Sequence, residues 1–259
     1  MPEVQWANMK AAEIRALKER NAIASLPIGS IEQHGPHLPV QVDTLLVSEV
    51  AARTARMVAE ETPIVVLPTI WSGLAEHHMS LGGTLTLDLA TFFGLVRGIV
   101  RSVARNGLGR ILLLNGHGGN MSALNALVGE LSVELDLPIA LATYWIPARQ
   151  AFAKILEEQP SVAHACEAET SMLLALRPDL VAMSRLDEID PPREWGGGGS
   201  DVYLWQPVSD WSPSGVAGVP GAASADKGER LLQAAAAALA DRIRDGRIWG
   251  RGEAKPPRT

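Results

Sequence analysis

The chain has 259 residues, a formal net charge of −6, 47% hydrophobic and 20% charged residues, and one cysteine. This balance suits a globular enzyme with a sizeable core. The acidic charge and the lack of any Lys/Arg run argue against a nucleic-acid partner, and no apolar run reaches membrane-spanning length.

Cys166 cannot form an internal disulfide, and the polar N-terminal stretch carries no signal-peptide core, so a cytoplasmic setting is expected. Residues 10–20 are predicted as a helix and 22–29 as a short buried strand that ends in a Pro/Gly-rich loop. Apolar residues at three- and four-residue spacing predict a helix over 44–61, with Asp43 suited to its N-cap. "PIVVLPTI" (63–70) reads as a strand, "TLTL" (84–87) as an extended piece, and 88–105 as a helix. "RILLLN" (110–115) is the clearest buried strand. It runs through "GHGGN" (116–120) into the helix "MSALNALVGELSVEL". "PIALATYW" (138–145) reads as another parallel-type strand and 167–181 as a helix. Over 187–220 the periodicity fails among many Gly, Pro and Trp. So long a stretch is expected to be a lid or an oligomer contact. An Ala-rich helix (225–245) closes a single domain over 1–259, with helices flanking a mostly parallel sheet.

Ligands of open α/β sheets gather beyond the carboxyl ends of the strands. Three polar clusters fall at such ends: Glu32, His34 and Asp43 after the first strand, His117 after "RILLLN", and His164, Glu167 and Glu169 after "PIALATYW". Carboxylates and imidazoles without paired thiolates suit Zn²⁺, Mn²⁺ or Fe²⁺. Two ions about 3.5–4 Å apart need roughly this many ligands and a bridging carboxylate. Asp43, at a helix start, is a natural bridge. Taken singly, each residue has a plainer reading. Asp43 could cap a helix, His34 or His37 could bond within the loop, and His164 with Glu169 could stabilise a helix start. "GHGGN" could turn the chain or cradle a phosphate, although it lacks the usual phosphate-loop spacing. The coincidence of all of them at strand ends favours a metal centre.

In this order, "LPIGSIEQHGPHLPVQVD", "LLNGHGGN" and "EAETS" resemble the creatininase (creatinine amidohydrolase) family, with "GGTLTL" and "SGVAGVPGAASADKGERLL" in fitting places. The resemblance covers roughly 22–244, and its E-Q-H-G-P-H-L-P string is the most specific part. It implies a Rossmann-like three-layer α/β domain, two divalent ions per chain with Zn²⁺ first and Mn²⁺ or Fe²⁺ acceptable, and often a homohexamer. It also implies hydrolysis of non-peptide or unusual amide C–N bonds in a small-molecule substrate, such as a cyclic amide or a formamide. By motif, Glu32, Asp43 and His117 would hold one ion, and His34 with the bridging Asp43 the second. Creatininase carries a glutamate two residues after the "NGH" histidine, where this chain has Gly119, and an aromatic residue where it has Gly118. Glu169 is the first candidate for the missing ligand and Glu167 the second, and the two glycines point to a substrate other than creatinine. A metal-bridged hydroxide would attack the amide carbon while His164 or Glu167 protonates the leaving nitrogen. His37 would orient a ligand by a hydrogen bond. Trp145 is expected to wall the pocket, whereas Trp195, Trp205 and Trp211 are expected in core or subunit packing. One of His77 and His78 could meet substrate, or both could face solvent. Cys166 is expected to be a small buried residue. The alternatives are a peptidase that trims a modified peptide and a non-catalytic metal-binding descendant.

Overall fold

Strands rich in Val, Ile and Leu on both faces are stable only in a sheet covered on both sides. The computed structural model of the protein describes residues 2–191 and 204–249. Among these residues β1 (Ile23–Ile28), β2 (Ile64–Val66), β3 (Arg110–Asn115) and β4 (Ile139–Thr143) form one parallel sheet of order β2-β1-β3-β4. Ile23 lies opposite both Ile64 and Arg110, and Ile111 lies opposite Ile139. Alternate residues of a strand point to opposite faces. Leu112 and Leu114 accordingly enter one core, and Ile111 and Leu113 the other.

The first core is closed by α2 (Val42–Val58), α5 (Trp145–Ile155), α6 (Glu167–Leu176) and α7 (Ala225–Arg244). The second is closed by α3 (Leu89–Arg105) and α4 (Met121–Leu135), with Leu17 of α1 (Ala11–Glu19) at its edge. The crossover from β1 to β2 therefore runs over one face and that from β2 to β3 over the other. The carboxyl ends of β1 and β3 part at this reversal, and a cleft opens between the loops that leave them. Where α6 and α7 cross, a Cβ on Gly228 would stand 1.9 Å from the Ser171 carbonyl oxygen, so only glycine permits the approach. No helix among the described residues is long and apolar enough to cross a membrane.

Several predicted boundaries shift for identifiable reasons. The second strand stops at Val66 because Pro68 cannot extend the ladder, and the chain rejoins β1 only through the single bridge Ile28–Ile70. "TLTL" adds no strand to the sheet. It contributes isolated bridges, Leu85 to Ile31 and Thr86 to Gly73. The helix predicted over 167–181 ends at Leu176, since the residue before Pro178 avoids the helical region. α5 was not foreseen, and Trp145 opens it rather than closing a strand. Pro147 obscures the pattern but is tolerated in a first turn. Asp43 does not cap α2: the helix begins at Val42 behind Gln41, and the carboxylate is turned elsewhere. Of the stretch 187–220, residues 192–203, including Trp195, lie outside the described residues. The part after them holds the short 3-10 turn Val208–Asp210, and a second, Pro220–Ala222, begins at its end.

Candidate metal centre

The loop after β1 is drawn tight by the Glu32 amide, which donates to the Val40 carbonyl, and by Gly35 at φ +67°. This brings Glu32 and His34 over the start of α2, where Asp43 sits in the first turn. His117 arrives from the end of β3. Glu169 arrives from the first turn of α6, with His164 on the loop before it. The Nδ1 of His117 is 3.0 Å from Glu32 Oε2 and 3.1 Å from Asp43 Oδ2. The Nε2 of His34 is 3.5 Å from Asp43 Oδ1 and 3.9 Å from Glu169 Oε1. The five side chains are buried, none more than 4% exposed.

The far nitrogens of the rings decide what the near ones can do. The Nε2 of His117 has the Leu74 carbonyl oxygen at 3.1 Å, and the Nδ1 of His34 has the Glu32 carbonyl oxygen at 3.1 Å. A carbonyl only accepts, so each of those nitrogens carries hydrogen. The opposite nitrogen of each neutral ring then presents a lone pair to carboxylates, the tautomer that a metal ligand needs. His34 Nε2 and Asp43 Oδ2 are buried without a hydrogen bond, so the convergence is incomplete without a cation. Among the described residues three triads have donor atoms within 4.8 Å of one another, Glu32–His34–His164, Glu32–Asp43–His117 and His34–Asp43–Glu169, and the last two share Asp43. The residues fit a pair of divalent ions, and the N/O donor set suits zinc or manganese.

Electrostatics agree. Burial opposes a charged imidazole, yet Asp43 and Glu169 beside His34, and Glu32 and Asp43 beside His117, hold both rings' pKa well above the usual range. Burial likewise lifts Glu32, whereas the His117 and His34 rings close beside Asp43, when protonated, overcome burial and hold its carboxyl well below the usual carboxylate value. Without metal, protons occupy the positions that cations would take. Loading with Zn²⁺ or Mn²⁺ should therefore release protons, and metal affinity should fall as the pH falls. Calorimetric titration in buffers of different ionisation enthalpy tests this: a heat independent of buffer would contradict it.

Two neighbours of the centre were not picked out from the sequence as parts of it. The Nδ1 of His78 accepts from Gln33 Nε2 at 2.8 Å, so its Nε2–H points at Glu32 Oε1, 3.3 Å away. Gln33 thereby fixes the ring that fixes a ligand. The adjacent "HH" was the only signal, and the 3-10 turn Glu76–Leu81 turns His78 toward Glu32 and His77 toward His117 while the two rings stay 4.2 Å apart. His77 stacks on His117 with ring centroids 5.7 Å apart. His164 stands beside Glu32, its Nδ1 3.5 Å from Oε1 and its Nε2 2.8 Å from the Gln33 carbonyl oxygen. Burial, reinforced by the nearby His34, keeps its pKa well below the usual histidine value.

Glu167 is not brought to the centre. Two residues from Glu169 is about 200° around a helix, and its carboxylate instead meets Lys227 Nζ at 2.7 Å and the amides of Glu157 and Glu158. That geometry leaves Glu169 as the glutamate available for the second triad and removes Glu167 as an acid. His37 does not touch a ligand either. Its Nε2 lies 2.9 Å from Thr170 Oγ1, bracing α6 one residue beyond Glu169. A Cβ at Gly119 would lie 2.4 Å from His117 Nε2 and 2.4 Å from the Leu74 carbonyl oxygen, so the hydrogen bond that orients His117 excludes a side chain there.

Above the ligands is a pocket of about 320 Å³ walled by Trp145, Trp211, Val162 and Val208. Trp145 is where it was expected, and Trp211 joins it rather than the core. Trp205 is half exposed and lines an adjoining cleft. Cys166 is buried and free, its thiol pushed up to about 12 chiefly by burial.

The creatininase family model, described as creatinine amidohydrolase, matches residues 7–243. Creatinine amidohydrolase of Pseudomonas putida is 32% identical over 94% of this chain and 95% of its own length. Mycofactocin precursor peptide peptidase of Mycolicibacterium smegmatis is 31% identical over 89% and 87%. The 3-dehydro-scyllo-inosose hydrolase of Thermotoga maritima is 27% identical over 93% and 83%. Solved creatininases include a manganese form and a Zn–Zn form with TM-scores of 0.78 and 0.77. Each is 28% identical and covers 95% of this chain and 99% of its own.

Proposed function

The chain belongs to the creatininase family, and from that premise we propose that it is a hydrolase that holds two divalent cations and cleaves the C–N bond of a cyclic amide or a formamide. The observation that carries this reading is the pair of buried triads sharing Asp43. Glu32, Asp43 and His117 would hold one ion, and His34, Asp43 and Glu169 the other. Bound there, the ions would polarise the amide carbonyl and acidify a water molecule.

The chain's own groups do the rest. His78 donates to Glu32 and holds its carboxylate in place. His164, neutral and with Nε2–H held by the Gln33 carbonyl, keeps Nδ1 free to take a proton and pass it to the departing nitrogen. The same carbonyl steadies the imidazolium that forms in between. Trp145 and Trp211 keep bulk water from the reacting amide. Gly118 leaves open space where creatininase carries an aromatic residue, and Gly119 offers no ligand where creatininase carries a glutamate, which favours an amide other than creatinine.

The peptidase relative supports a second reading, trimming of a peptide. Parallel assays on formamides, cyclic amides and short peptides separate the two. A homohexamer belongs to the proposal by resemblance and a cytoplasmic setting by the single, unpaired cysteine, and the native mass tests the former. The metal centre is tested by elemental analysis of protein purified without chelator. About two divalent ions per chain are expected, falling toward one in Glu169→Gln. One ion or none in the unmodified protein would overturn the paired site. Unchanged metal content with lost turnover in the variant would make Glu169 an acid–base group instead.

A further inference from the structure

The metal pocket does not end at Trp211. His77, Gly119, Val208 and Trp211 form one of its walls and also border a second, larger cleft of about 580 Å³. Leu74, Leu87, Leu89, Leu204 and Trp205 supply the apolar surface of that cleft, and Glu76 and Asp88 lie at its acidic edge. Leu89, Leu204 and Trp205 are 54%, 60% and 52% exposed, so large apolar side chains stand in water around a recess that leads to the ligands. A contiguous apolar recess of this kind marks a binding surface. Among the described residues no lysine or arginine lines either the pocket or the cleft. Ligand sites of 300–1,000 Å³ take molecules of drug size, and a single small ring would leave most of this space empty.

We infer that the cleft is a substrate subsite for an aromatic or branched aliphatic group, neutral or cationic, attached to the amide that is cut over the metal centre. This inference rests on the amidohydrolase reading and names its substrate class. Leucine and tryptophan side chains bury such a group at low entropic cost, and the tryptophan face attracts a cation. A carboxylate, sulfonate or phosphate on the same group would meet Glu76 and Asp88 with no counterion. The Asp88 carboxylate already caps α3 by accepting from the Thr91 amide at 3.0 Å, which leaves the exposed Glu76 as the group that meets a ligand cation.

Fluorescence titration of the metal-loaded enzyme with three probes tests the subsite without requiring turnover. Naphthylmethylamine and naphthylmethanol should bind, and naphthalenesulfonate should bind at least tenfold more weakly. Trp205→Ala should weaken the first two roughly tenfold. Leu89→Lys, which replaces an apolar wall of the cleft with a cation, should weaken the amine more than the alcohol and strengthen the sulfonate relative to both. Equal binding of amine and sulfonate, or probe affinities unmoved by Trp205→Ala, would overturn the inference. If the probes behave as stated while no amide is hydrolysed, the subsite stands and the amidohydrolase reading falls. If small formamides are hydrolysed but the variants leave probe binding unmoved, the reverse holds.

Discussion

Asp43→Ala should lower kcat/KM by about a thousandfold or more and empty both cation positions together, because several kcal/mol of transition-state stabilisation depend on the paired ions. One oxygen of this carboxylate faces the Nε2 of His34 at 3.5 Å and the other faces the Nδ1 of His117 at 3.1 Å. No other side chain in the cluster belongs to both of these triads. His34→Ala provides the contrast: it should also abolish hydrolysis, yet retain the ion held by Glu32, Asp43 and His117. Elemental analysis of the two variants beside kinetic assays checks the pair of statements. An active Asp43→Ala enzyme would sink the two-ion centre outright, and equal metal loss in both variants would show that the sites fill as one.

Lys227→Met should cost about 3 kcal/mol of stability, as breaking a buried ion pair does, and lower the Tm by roughly 10 °C. Glu167 is fully buried, and Lys227 Nζ reaches its Oε1 at 2.7 Å, Glu157 Oε1 at 3.0 Å and the Ala222 carbonyl oxygen at 2.6 Å. The amides of Glu157 and Glu158 donate to the same carboxylate. One glutamate thus ties α6 to α7 and to the turn after α5. Burial by itself would raise the Glu167 pKa, but Lys227 and the two amides hold it below the usual glutamate value. The folded value therefore lies below the unfolded one near 4.3. The ion pair's contribution is fully present above about pH 4.3 and is lost as the pH falls through the folded value. The gap in Tm between the two proteins should be widest near neutral pH and narrow in acid. A gap that did not change with pH would assign the loss to packing instead of charge.

Some of this was legible in the residues alone because local pattern and tertiary role coincided. "RILLLN" is apolar on both faces and is β3 from end to end, and the amphipathic run after "GHGGN" is α4. The candidate ligands Glu32, His34, Asp43, His117 and Glu169 could be grouped from the sequence because a parallel sheet delivers every strand end to one rim, so clusters distant in sequence had to meet there. Other features depend on direction, which spacing conveys poorly. Asp43 is chemically as good a cap as a ligand, and only the start of α2 one residue earlier frees its carboxylate. Glu167 and Glu169 share a helix but not a face, and the capping position was not known well enough to tell which faced the rim. The roles of Gln33 and His78 arise from contacts between segments far apart in the chain, and α5 hid behind Pro147.

The order of the strands also bears on how the protein is made. β1 is central, yet both strands that flank it, β2 and β3, leave the ribosome after it, and His117 and Glu169 follow later still. At roughly 5–20 residues per second, the early ligands Glu32, His34 and Asp43 wait on the order of ten seconds for the later ones. During that interval the "EQHGPH" loop offers imidazole and carboxylate to any passing ion without the geometry to select one. If the chain holds metal as proposed, the ion it takes up during synthesis would depend on what surrounds it until α6 docks.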